Sequence, residues 1–243
     1  LLIPTTIFLR KEGTLMKKIG ILCASDTELE PFLSYLENST ITEKAMLKFH
    51  CGHFQKLELF AVYSGVCKVN AAIAAQVLID TFHVDAIFNG GTAGGMDKNV
   101  QLLDTVISER MLYHDVAEDI LTEFHPWLEH NYFEADKNLL EAAKKYQRTS
   151  NASIHFGTMV TGEQFIVDQQ RDSINQRYAP LSVDMETASV AHVCYANKVP
   201  FLSVRSITDT ADHKGIENFD LNCEAASLRS ARVVMGILEQ LSC

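Results

Sequence analysis

The chain has 243 residues, 47% hydrophobic and 21% charged, a composition that supports one large buried core. Its formal net charge of −10 argues against a basic nucleic-acid surface or an anionic-membrane surface, so neither partner is expected. Six cysteines, at 23, 51, 67, 194, 223 and 243, with no Cys-x-x-Cys, fit reduced thiols in a cytoplasmic protein rather than a zinc site.

The apolar run 1–9 is too short to cross a bilayer, and its charges follow it, the wrong order for a signal peptide. Met16 is the expected natural start, with 1–15 a non-native or mis-started extension and 16–243 a single domain. Residues 17–24 read as a buried strand and 25–36 as a helix, with Leu29, Phe32, Leu33 and Leu36 spaced i, i+3, i+4, i+7. Two β-rich runs, 45–53 and 56–64, are separated by Gln55. Next come a helix at 69–82 and a short strand at 86–89 that runs into Gly90-Gly91. Strands at 104–113, 153–161, 181–183 and 201–207 and helices at 137–146, 186–196 and 221–241 complete the pattern. Strands alternating with helices predict an α/β fold: three layers, α/β/α, around a central mixed sheet.

In open α/β sheets ligands bind at the carboxyl ends of strands. Glu186 and Asp209 each stand where an apolar run stops, which places them at the ends of two neighbouring strands. An acid there can instead serve a helix macrodipole or an N-cap. Glu28 reads two ways as well: with Ser25 it forms a capping box, or it points into the same crevice. The run Asn89 to Gly95 is either a tight turn or a backbone cradle for a ligand; it is neither a dinucleotide fingerprint nor a Walker loop. Phe165-Ile166 offers a ring at the mouth of a site or a core residue, and His114 reads as structural or as an interface residue because no Ser or Cys nucleophile motif accompanies it.

Taken in order, Ile19 to Leu22 with Glu28, Ser64 to Ala72, Asn89 to Gly95, Tyr113-His114-Asp115, Thr161 to Ile166, Val183 to Ala188 and Arg205 to Asp212 resemble a known family. It is that of the bacterial 5′-methylthioadenosine/S-adenosylhomocysteine nucleosidases of the purine nucleoside phosphorylase superfamily. The resemblance implies a nucleoside phosphorylase-like fold and a cytoplasmic homodimer that hydrolyses the N-glycosidic bond of adenine thionucleosides without cofactor or metal. It implies that Glu28 activates the water, Glu186 holds the ribose hydroxyls with Met185 against the sugar, and Asp209 protonates, or hydrogen-bonds to, adenine N7. Phe165 would stack on the base and the Ile166 backbone would read its edge. Val66, Thr92, Ala93, Gly94, Arg205 and Ser206 would line the pocket.

The segment 116–130 departs from the family's Phe-Gly-Tyr and Pro-Gly loop, part of which reaches into the partner's 5′ pocket; Phe124, Pro126 and Trp127 stand in its place. A phosphorylase of the same superfamily is the nearest alternative, but no Gly-Asp-Pro follows the first strand to bind phosphate. A non-catalytic nucleoside-binding protein on this scaffold is the other. A dehydrogenase is disfavoured by the absence of G-x-G-x-x-G after the first strand.

Overall fold

Residues 16–166, 168–210 and 216–242 are described by the structure, a computed structural model. The expected extension 1–15 and the Ala211-Asp212 end of the last motif lie outside the described residues. The apolar run Lys18–Cys23 forms β1, buried between neighbours on both edges. Helix α1 (Asp26–Leu33) follows. It ends three residues earlier than its apolar spacing predicts, because the chain turns at Ser34 into β2 (Glu37–Lys44). That strand was not predicted: all eight of its residues are exposed, so it carries no apolar alternation. It pairs with β3 (Leu47–Phe54), and Ala45 and Met46, expected in the strand, form the turn with φ of 51° and 62°. β4 (Leu57–Tyr63) completes this antiparallel ribbon and returns parallel to β1.

Helix α2 (Lys68–Phe82) buries a small-residue face, Ala71, Ala74, Ala75 and Leu78, which lets it lie close on the sheet. The next strand, β5 (Ala86–Gly95), is the axis of the fold. Its glycine run, expected as a turn or cradle, stays extended as part of the strand. One edge pairs with β10 (Phe201–Asp209) from Ile87 to Gly94. The other pairs with β1 from Ala86 to Asn89 and with β9 (Ser182–Asp184) at Gly94 and Gly95. Between those two partners, Gly90 to Ala93 keep an edge free of any strand. That gap opens the site.

β6 (Thr105–Tyr113) runs antiparallel to β10 and parallel to β8 (Ile154–Thr161), which pairs with β9. Strands β5, β10, β6, β8 and β9 thus close on themselves, and β1, β4, β3 and β2 extend the sheet from β5. Short α3 (Ile120–Glu123) and β7 (Phe133–Glu134), and the polar helix α5 (Asp168–Tyr178), were not anticipated. α4 (Lys137–Thr149), α6 (Thr187–Asn197) and α7 (Ile216–Ser242) match predicted helices, with α7 beginning earlier than the sequence suggests. α1, α4 and α7 pack together, α2 packs on α6, and the mixed sheet carries helices on both sides. No helix among the described residues is long and apolar enough to cross a membrane.

Candidate active site

Glu28, Glu186 and Asp209 line one cavity of about 220 Å³, beside the free stretch of β5. Each comes from a different element. Ser25 caps α1 by accepting from the Glu28 N–H at 3.3 Å, but the Glu28 carboxylate does not return to the cap, so only half of a capping box forms. Its Oε2 accepts from the Ala24 N–H at 2.7 Å, and its Oε1 accepts from the Thr92 N–H at 2.7 Å and the Thr92 hydroxyl at 2.8 Å. Within the glycine run the Gly91 N–H donates to Ser230 Oγ at 2.9 Å, and the Thr92 N–H is thus spent on Glu28. Gly91 is required by that approach, since a Cβ there would sit 2.5 Å from the Glu28 carboxyl carbon.

Gly91→Ala is accordingly expected to displace Glu28, lowering turnover and destabilising the fold by about 1–3 kcal/mol of overpacking strain. Steady-state rates and urea unfolding check both effects; a variant normal in both rules out the close approach.

Glu186 occupies the N-cap position of α6, yet its side chain makes no capping bond. Asp184 does that work, accepting from the Thr187 N–H at 3.2 Å and the Glu186 N–H at 3.3 Å. The Glu186 carboxylate is left for the cavity, where Oε1 accepts from the Cys67 N–H at 2.9 Å. Cys67 holds that N–H in place with φ 82° and ψ 164°, backbone space that favours glycine and strains a cysteine. Asp209 ends β10; its Oδ1 accepts from Thr208 Oγ1 at 3.0 Å and its Oδ2 from Arg171 Nη2 at 3.2 Å. Because β9 and β10 flank β5 on opposite edges, the strand that leads to Glu186 and the strand that ends at Asp209 are not neighbours as expected; they face each other across β5.

Val66, Thr92, Ala93 and Gly94 line the cavity, as do Met185, Phe165 and Ile166. Phe165 is 36% exposed at the mouth and meets Phe219 edge-on, centroids 6.2 Å apart. Two expected lining residues sit elsewhere. Ser206 turns away to Thr105 Oγ1 at 2.8 Å, and a β-bulge between Ile207 and Asp209 brings Thr208 to the cavity instead. Arg205, fully buried, lies behind the wall: Nε is 3.1 Å from Asp184, Nη2 3.2 Å from Glu186 and Nη1 3.6 Å from Glu28. His114 and Asp115 line a separate, adjoining hollow, and Asp115 accepts from Lys68 Nζ at 2.9 Å. Sequence reasoning missed Asp184, Arg171 and Thr208; the first stands two residues before Glu186 in the same motif, the only signal available for it. Phe124 and Trp127 are exposed and do not line the cavity of the single chain.

Burial pushes the Glu186 carboxyl up to about 7 against the opposing pull of Arg205. Burial likewise raises Asp209, with Thr208 and Arg171 pulling the other way. An acid raised on folding holds its proton in the native state after the unfolded chain has released it. Stability from Glu186 is therefore present below about pH 4.5 and is lost as pH rises to about 7. Melting temperatures measured from pH 4.5 to 7.5 should fall more steeply for the wild type than for Glu186→Gln. Parallel curves count against the raised carboxyl.

The sequence model of the phosphorylase superfamily matches residues 18–239. A protein of Exiguobacterium sp. named 5′-methylthioadenosine/S-adenosylhomocysteine nucleosidase is 35% identical over 233 residues, covering 92% of this chain and 98% of that one. The fold is similar to that of the nucleosidase of the same name from Neisseria meningitidis in complex with methylthio-immucillin-A. There the TM-score is 0.85 and the identity 28%, over 92% of this chain and 99% of the other. It is equally similar to a futalosine hydrolase of Helicobacter pylori, with TM-score 0.86 and 26% identity over 93% and 98% of the two chains.

Proposed function

The chain belongs to the phosphorylase superfamily and, within it, to the 5′-methylthioadenosine/S-adenosylhomocysteine nucleosidases, and we propose that its cavity hydrolyses the N-glycosidic bond of adenine thionucleosides. The observation that carries this reading is the convergence of Glu28, Glu186 and Asp209 on one cavity from three elements far apart in the chain. Cleavage builds positive charge on the ribose and negative charge on the departing base. Glu186 meets the first as it holds the ribose hydroxyls, with Met185 against the sugar. Asp209 meets the second. The C1′–N9 bond breaks with its electron pair passing to the base, and the Asp209 proton goes to N7. The oxygen of a water bonds to C1′ and gives its proton to Glu28. Phe165 stacks on the base while the Ile166 backbone reads its edge. Acid–base help of this kind supplies roughly 10²–10⁴-fold, with preorganised electrostatics adding to it.

Hydrolysis is favoured over phosphorolysis by the state of the cations. Arg205 and Arg171, the arginines bonded to the site's acids, are both engaged by those carboxyl groups and neither lines the cavity, which leaves neither free for a phosphate. The raised carboxyls favour catalysis over mere storage of a nucleoside. We read the protein as a cytoplasmic homodimer. Val66, Val69 and Ile73, at the start of α2 beside the cavity, present exposed apolar side chains that suit a second copy. That copy would complete the 5′ pocket, with Phe124, Pro126 or Trp127 in the place of the family's loop.

The deciding assay incubates the protein with methylthioadenosine, S-adenosylhomocysteine, adenosine, inosine and futalosine, with and without phosphate. Free adenine from the thionucleosides without phosphate is the expected result. Strict phosphate dependence selects the phosphorylase, turnover of futalosine alone moves the substrate, and no turnover at all leaves a binding protein.

A further inference from the structure

Arg171 takes no part in the mechanism above, yet it is buried beside the proposed acid. It projects from α5, the helix that follows the base-stacking Phe165-Ile166 segment. Nη2 donates to Asp209 Oδ2 at 3.2 Å, and Nη1 donates to the Gly95 carbonyl at the end of β5. One turn later Asn175 Nδ2 donates to the Met96 carbonyl at 3.1 Å, so α5 grips the end of β5 twice. The Arg171 Nε, buried, has no acceptor among the described residues. An unpaired buried N–H is costly, so the guanidinium is held here by its two Nη contacts, one of them to the acid.

Among the described residues, the groups around Asp209 are few. Thr208 Oγ1 bonds it from β10, glycine backbone approaches it from β5 at Gly94, and Glu28 and Glu186 stand elsewhere on the cavity wall. Among the described residues Arg171 is the charged group that bonds to it. Arg171 does not line the cavity, so it reaches the substrate only through Asp209.

We propose that Arg171 is a positioning residue for the acid: it aims the Asp209 carboxyl into the cavity and stabilises the carboxylate left behind when the proton passes to the base. The proposal rests on the nucleosidase reading. Burial alone would make Asp209 too weak an acid to give up its proton readily, and the neighbouring cation opposes that. As the C1′–N9 bond breaks, Asp209 gains negative charge 3.2 Å from a fixed positive one. The attraction grows along the reaction, which is the condition for lowering a barrier rather than merely binding substrate.

The test is the pH dependence of kcat and kcat/KM for methylthioadenosine in the wild type, Arg171→Gln and Arg171→Lys. Asp209 acts protonated, so activity falls as pH rises past its titration. In Arg171→Gln that falling limb is expected to move up by about one pH unit or more. Its plateau kcat should drop about tenfold, part of what a positioned acid supplies, with KM nearly unchanged. Arg171→Lys keeps the charge but loses the fork, so it should shift the limb less and still lower kcat. A purely structural Arg171 would change the melting temperature and leave the limb in place. Arg171→Gln with the wild-type limb and kcat overturns the proposal. If that variant does not fold, Arg171→Lys indistinguishable from wild type in both quantities does so. A wild type that releases no base from any nucleoside overturns the functional reading, and this proposal with it, by a separate observation.

Discussion

Asp209→Asn is expected to lower kcat for methylthioadenosine by about 10²–10⁴-fold while KM stays within a few-fold of the wild type. The amide has nearly the same shape: its oxygen can accept from Arg171 Nη2 while its NH2 donates to the Thr208 hydroxyl, which accepts as readily as it donates, so the cavity keeps its outline. What it lacks is a proton to hand to the base. Departure of an unprotonated adenine then places a full negative charge on the leaving group in a buried site, where charge is least well tolerated. Loss of transition-state stabilisation with ground-state binding retained is the kinetic signature of such a residue. The substitution also leaves Arg171 beside a neutral group, so a thermal melt run alongside separates loss of the acid from loss of the fold. Turnover within tenfold of wild type, measured as adenine release, removes Asp209 from the chemistry.

The place of Asp209 on the cavity was legible because the residue closely follows a run, Phe201 to Ile207, that reads as a strand; its proposed role came from the family resemblance. Most of the sheet was legible for the same reason: β1, β4, β6 and β8 are short apolar stretches between polar ones. The edge strand β2 and helix α5 were not. Glu-Asn-Ser-Thr-Ile-Thr-Glu-Lys is exposed along its whole length and exists as a strand only because β3 offers it a partner. Asp168–Tyr178 is polar nearly throughout, and its place is set by two side chains that reach carbonyls of β5 and the residue after it. Missing α5 meant missing Arg171.

Two of the places where the site was misread have a local physical reason. Glycines in Asn89 to Gly95 argue for a turn by propensity, but pairing with β10 along one edge holds them extended. Ser206 was expected at the cavity on the strength of its position in the motif. The bulge between Ile207 and Asp209 breaks the alternation of β10, turning Thr208 inward, and no residue type in that stretch announces a bulge. Side-chain bonds between remote elements are equally silent in one dimension. The distance from Glu28 to Arg205 along the chain conceals a contact of 3.6 Å.

Arg205 carries the largest expected effect on stability. Its guanidinium is fully buried and faces Glu28, Asp184 and Glu186, with Nη2 also donating to Asn89 Oδ1 at 2.8 Å. Arg205→Met removes a cation that, among the described residues, is common to the three acids. Taking away one partner of a buried ion pair typically costs about 3–5 kcal/mol, because the other charge stays buried without compensation. At about 2–4 °C per kcal/mol for a chain of this size, the melting temperature should fall by roughly 6–20 °C at neutral pH. Arg205→Lys should recover little of it, since a single ammonium cannot reproduce a fork that meets Asp184 through Nε and Glu186 through Nη2. The deficit has a sign in pH. Carboxyls stripped of their cation hold protons more tightly in the folded state, so lowering the pH neutralises them and narrows the gap to wild type. Melts of the variant and the wild type at pH 5 and pH 8 read this directly. A variant that melts within a degree or two of wild type at pH 8 shows that the acids do not depend on Arg205, and that the wall of the cavity is held by something else.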